Sequence, residues 1–172
     1  MGKLRSLLLV GIGLCILLSG CATVISKEII RQANREISVG EVAESPDIYK
    51  GEVVIWGGEI VDAENRKEGT VLEVLEKPID MTLRPKEVDQ SSGRFLAVYD
   101  GYLDVAIYAP GREVTVAGEI RGERVLPLGE IEYAYPLITV NEIYLWSPRK
   151  EAADYPYRYY PPWYYAPYEW WY

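Results

Sequence analysis

The sequence predicts a mostly β fold: a small antiparallel β-barrel, closed or partly open, behind short N-terminal helical turns. Three observations carry that expectation. From Gly51 onward, apolar and polar residues alternate over short runs. Gly- and Pro-containing turn signals separate those runs. No confident long helical pattern appears after them. Five or six strands then fit into roughly 100 residues, with connections mostly too short for parallel crossovers. A sheet of that size can hide its unpaired edges by curling closed.

Each element can be placed in order. Lys27 to Ala33 suits a short helix, and Gly40 and Pro46 bracket a second piece of a turn or two. A strand follows at 53–61, in which Val53 and Ile55 face one way while Val54 and Trp56 face the other, so both faces are apolar near its start. Gly57 and Gly58 interrupt side-chain packing there, which points to a bulge, a bend or the close approach of another segment. A polar turn around Asn65, Arg66 and Lys67 leads to a partner strand at 70–75. Residues 78–93, interrupted by Pro85, read as a long excursion before a strand at 94–99. Residues 102–108 are either a short strand or a compact turn. Pro110-Gly111 and Gly122 read as turns, bounding strands at 112–121, about 124–133 and 136–146.

The N-terminus has a different character. Lys3 and Arg5 precede an apolar run from Leu7 to Leu18, 12 residues long. About 20 residues are needed to cross a bilayer as a helix, so the run fits a secretory signal rather than a span. Leu18-Ser19-Gly20-Cys21 resembles the bacterial lipobox. That resemblance implies diacylglyceryl transfer to the Cys21 thiol, cleavage before Cys21 and acylation of the new amine. One acyl chain holds weakly, whereas several hold durably. Ala22, where an aspartate would resemble an inner-membrane retention signal, points to the outer membrane. Residues 1–20 are thus expected to be a lipoprotein signal peptide, 21–50 a lipid-anchored tether with helical turns, 51–148 the barrel, and 149–172 a Tyr/Trp/Pro-rich tail.

Composition excludes several chemistries. Cys15 leaves with the signal and Cys21 is consumed by the lipid, so no thiol or disulfide remains in the mature chain. Histidine is absent, which removes Ser-His-Asp triads, Cys-His pairs and the usual zinc and haem sites. Loss of Lys3 and Arg5 moves the formal charge from -8 to -10. Such an acidic surface is poorly suited to phosphate backbones or anionic lipid headgroups, so no nucleic-acid partner is expected and membrane attachment should depend on the lipid rather than on a basic face. No cofactor and no dedicated metal site are expected either; Asp62 to Asn65 offer oxygens but lack the calcium-loop spacing of an EF-hand.

Several spaced motifs occur in order: Tyr49-Lys50-Gly51, Val54 to Ile60 with Trp56-Gly57-Gly58, Gly93-Arg94-Phe95, Tyr108 to Gly118 with Pro110-Gly111-Arg112, Tyr135-Pro136, and Ile143 to Trp146. With the lipobox they resemble the Slp family of outer membrane lipoproteins over about residues 21–148. The resemblance implies a lipid-anchored envelope protein with a small, OB-like barrel, and an association with starvation or stress; the anchored domain is expected to face the periplasm. It brings no defined enzymatic activity. Trp56, Gly57, Gly58, Pro110, Gly111 and Gly118 carry over as fold markers, not as catalytic residues. Fold likeness of this kind suggests a groove and no particular ligand.

The aromatic tail departs from the family pattern. Residues 155–172 contain 8 Tyr and 3 Trp among 18 positions, broken by four prolines. Three roles compete for it. It can shield the barrel, sit at a membrane interface, or contact an envelope protein or glycan through Tyr159, Tyr160, Trp163, Tyr164, Tyr165, Trp170 and Trp171. Against a non-catalytic binding or structural role stands one enzyme reading, an envelope glycan hydrolase. It would use paired carboxylates drawn from Glu73 and Glu76, Asp100 and Asp104, or Glu130 and Glu132.

Overall fold

The computed structural model describes residues 23–149. Two short helices, α1 (Lys27–Gln32) and α2 (Val39–Glu44), and a 3-10 turn at Pro46–Ile48 lead into five strands. These are β1 (Val53–Arg66), β2 (Gly69–Lys77), β3 (Arg94–Tyr99), β4 (Glu113–Leu128) and β5 (Ile131–Leu145). They form a closed barrel in the order β1-β2-β3-β5-β4, with β4 returning to β1. A closed five-stranded barrel with so little helix is the expected OB-like architecture.

One seam departs from the antiparallel pairing that prevails elsewhere in the barrel. β3 and β5 pair in parallel, Leu96 to Val98 against Leu137 to Thr139, while the other four pairings are antiparallel. The connection that permits it is not a helix. Residues 100–112 carry the chain past the position of β5 to β4, and the β4–β5 hairpin returns it, so two reversals bring β5 back alongside β3 in the same direction.

The interior is filled by side chains from every strand, among them Val54, Leu72, Phe95, Val116 and Ile138, each fully buried. Trp56 meets Phe95 edge to face at 5.1 Å between ring centroids, and its Nε1 donates to the Ile37 carbonyl at 2.9 Å. A buried indole needs such a partner, and this one joins the barrel to its N-terminal cover. Val39 and Val42 of α2 belong to the same core. That helix is fixed by a capping box: Ser38 Oγ accepts from the Glu41 amide, and the Glu41 carboxylate accepts from the Ser38 amide.

The opposite face of β1 is also covered, as its two-sided apolar pattern predicts. Ile55 and Ala117 pack outside the barrel wall with Ile25 and Leu83, and α1 lays Ile29 and Ile30 over them. Gly57 and Gly58 are places of close approach. A Cβ on Gly58 would lie 2.2 Å from the Leu75 carbonyl oxygen, and one on Gly57 would lie 2.3 Å from Ile79 Cγ2.

The later strands are longer than the sequence suggests. The three expected strands over 112–146 are two, because Gly122 sits inside β4 at a register shift and only Gly129-Glu130 makes the turn. Gly122 has φ +117, a conformation that bends a strand without ending it. Pro136 likewise lies within β5, opposite Glu123. Residues 102–108 resolve as a compact turn, with the Ile107 and Tyr108 amides both donating to the Asp104 carbonyl at 2.9 Å.

Candidate functional site

The chain folds several unrelated segments together along one side of the barrel: the entry at Thr23, the excursion between β2 and β3, the start of β4 and the residues just after β5. A buried hydroxyl joins them. Thr115, fully buried in β4, donates from Oγ1 to the Leu83 carbonyl at 2.6 Å and accepts from Trp146 Nε1 at 2.9 Å. The excursion and the end of β5 are therefore tied to the same atom. Trp146 also packs edge to face on Tyr144 at 4.7 Å, and the Arg84 guanidinium lies 5.2 Å from its ring centroid, a cation–π geometry.

The excursion turns sharply to reach this point. Leu83 is the one non-glycine among the described residues with a left-handed backbone, φ 71, a conformation that is costly for a side chain of its size. Two features offset that cost: Leu83 is buried against Ile25 and Ile55, and Asp80 organises the loop around it. Asp80 Oδ1 accepts from the Thr82 hydroxyl at 2.6 Å and from the Thr82 and Arg84 amides. The Thr82 hydrogen bond holds the Asp80 carboxyl below its ordinary pKa despite some opposing desolvation.

Beside this loop lies an apolar hollow of about 400 Å³, lined by Val24, Ile30, Met81, Leu83 and Trp146, with Thr23 and Arg35 on its margin. Met81 is fully exposed. Two polar hollows, of about 350 and 260 Å³, open on the other side of the excursion and share Glu59, Glu87 and Glu113. Glu113 is held between two guanidinium groups, 2.7 Å from Arg84 and 2.8 Å from Arg149. Hydrogen bonding to Glu113 raises the Arg149 pKa. None of these acids is among the carboxylate pairs singled out from the sequence. Their gathering depends on the path of residues 78–93, which carries no periodic signal.

The sequence-nominated pairs lie elsewhere. Glu73 bonds Arg94 at 2.6 Å and accepts from Tyr135 at 3.3 Å, while Glu76 accepts from the Ser92 amide and hydroxyl. Three residues apart on one strand, they belong to opposite faces. Burial raises the Tyr135 pKa, and the Glu73 charge adds to that effect. Asp104 caps its own turn through the Ala106 amide, and Asp100, Glu130 and Glu132 are exposed. Among the described residues, no group of three or more Cys, Asp or Glu side chains is placed to hold a metal ion.

The fold markers take varied positions. Trp56 is 6% exposed within the core. Gly118 lets β4 pass close to β5, since a Cβ there would lie 2.4 Å from the Thr139 carbonyl oxygen. Pro110 and Gly111 form an exposed turn closed by the Gly111 amide on the Ile60 carbonyl at 2.8 Å. Leu18, Ser19, Gly20 and Cys21, and the aromatic residues of the tail from Tyr159 to Trp171, lie outside the described residues.

Comparison with known proteins adds what the geometry lacks. A family model described as the outer membrane lipoprotein Slp family matches residues 18–172. The chain is 29% identical over 151 residues to an uncharacterized lipoprotein, YeaY, of Escherichia coli strain K12, covering 88% of this chain and 77% of that protein. It is 29% identical over 109 residues to the outer membrane protein Slp of the same organism, covering 63% of this chain and 57% of that protein. An uncharacterized protein of Haemophilus influenzae is 28% identical over 101 residues, covering 58% of this chain and 54% of that protein.

Proposed function

Since this chain belongs to the Slp family of outer membrane lipoproteins, we propose that it is anchored through an acylated Cys21 and serves the envelope as a non-catalytic binding or structural component. The signal peptide is residues 1–20, recognised through Leu18, Ser19 and Gly20. The barrel of residues 51–148 faces the periplasm, and the segment 149–172 offers its aromatic side chains to an envelope protein or glycan. A role in starvation or stress is the physiological setting in which this reading would operate.

The observation that carries the non-catalytic part is how the barrel uses its interior and its acids. The inside is occupied by packed apolar side chains, and Glu73, Glu76 and Glu113 are each bound to cations or hydrogen-bond donors of the fold. A general acid and base for glycoside cleavage need two carboxyl groups facing one sugar bond across about 5–9.5 Å. Glu113, the most enclosed acid of the polar hollows, is already neutralised by Arg84 and Arg149.

In-cell crosslinking followed by pull-down tests this reading, comparing full-length protein with a form ending at residue 148. The expected result is an envelope adduct that needs the tail, with no change in isolated cell-wall glycan on incubation with the protein. Glycan cleavage that disappears in Glu59→Gln or Glu113→Gln would replace the binding role with the hydrolase.

A further inference from the structure

The apolar hollow beside the chain entry has a place fixed by covalent geometry. Thr23 stands on its margin, two residues after Cys21. Two residues of extended chain reach no more than about 7 Å. A diacylglyceryl group on Cys21 is buried in the leaflet, so the margin of this hollow must lie at the level of the lipid headgroups. The surface that the anchor brings there is not a polar one. Met81 stands fully exposed at the tip of the 80–84 turn, next to the ring of Trp146 and the aliphatic side chains of Val24, Ile30 and Leu83.

We infer that this hollow is the face by which the barrel lies against the phospholipid leaflet, with Met81 and Trp146 seated at the interface and Arg35 meeting lipid phosphates. The inference rests on the Cys21 anchor and extends it from a tether to an orientation. Trp is suited to that depth because its ring is apolar while its N–H is polar, and here the N–H is already satisfied by Thr115. Arg35 supplies a cation at this margin on a chain whose overall charge is negative. The rigid link among Thr115, Leu83 and Trp146 means that the seated turn would hold the barrel wall with it. The β4–β5 turn, at the far end of that ladder from Leu145, would then point away from the membrane.

The absence of other thiols in the mature, acylated chain makes a direct test available. Met81→Cys and Ile131→Cys, at side chains that are 100% and 61% exposed, are each labelled with a polarity-sensitive fluorophore in full-length lipidated protein. Both are reconstituted into vesicles of phosphatidylethanolamine and phosphatidylglycerol, with and without quencher-bearing acyl chains. The expected result is blue-shifted emission at position 81 and quenching there several-fold stronger than at 131. Equal quenching at both positions, with intact mass showing Cys21 acylated, would overturn the docking face and leave the anchor standing. An unacylated Cys21 in the same mass spectrum would instead remove the anchor and this inference together. Two further outcomes reject lipid as the occupant: quenching at 81 that appears only after residues 150–172 are deleted assigns the hollow to the tail, and thiol-specific crosslinking of unlabelled Met81→Cys protein to itself through position 81 assigns it to a second copy.

Discussion

Thr115 is the residue on which the candidate site turns, because one hydroxyl serves both the excursion and the end of β5. Thr115→Val keeps the shape but leaves a carbonyl and an indole N–H without their partner. The expected loss is about 1–3 kcal/mol, read as a lower urea midpoint. Asp80 gives a pH-dependent counterpart. Its carboxyl titrates below the ordinary value of 3.8, so it contributes stability above that pH and loses it as pH falls through the depressed folded value. Protection of the Thr82 and Arg84 amides, taken relative to their intrinsic exchange at each pH, should therefore fall in acid, and Asp80→Asn should remove that step. Neither residue stands out in the sequence. Thr115 reads there as an ordinary polar member of an alternating strand, and nothing marks Leu83 for a left-handed backbone.

At the scale of the element, the glycines divide by what surrounds them. Gly58→Ala would drive a methyl group to 2.2 Å from a backbone oxygen that cannot move without breaking the β1–β2 ladder. About 3 kcal/mol or more of destabilisation is expected. Gly111→Ala meets open space and bears only the cost of φ +84, about 1–2 kcal/mol. Thermal unfolding of the two variants should rank them in that order. Ser38→Ala removes one half of the capping box of α2 and should cost about 1 kcal/mol by the same measurement. In sequence that piece is bracketed by Gly40 and Pro46, whereas the helix starts at Val39 and takes Gly40 inside it. The starts of β1 to β4 and the two-sided burial of β1 were legible, because alternation records which side chains meet water, whereas β5 starts at Ile131, between the expected starts at about 124 and 136. Strand ends were less so: Gly122 and Pro136 resemble breakers in sequence, yet lie inside β4 and β5, where a bulge and neighbouring pairs accommodate them.

The whole molecule combines a packed, closed barrel with chemistry that sits outside the barrel wall. Its fold class and family membership follow from motifs spread along the chain, and the family model spans residues 18–172. The grouping of Met81, Trp146 and Val24 was not legible, because those residues are separated in sequence and meet only through the path of a non-periodic excursion. The proposed position on the membrane follows from one covalent bond expected at Cys21. Intact-mass analysis of the chain extracted from outer membranes measures that bond directly. The expected species begins at Cys21 and carries the added mass of its acyl chains; a species that retains residues 1–20, or a bare thiol at Cys21, would contradict the account.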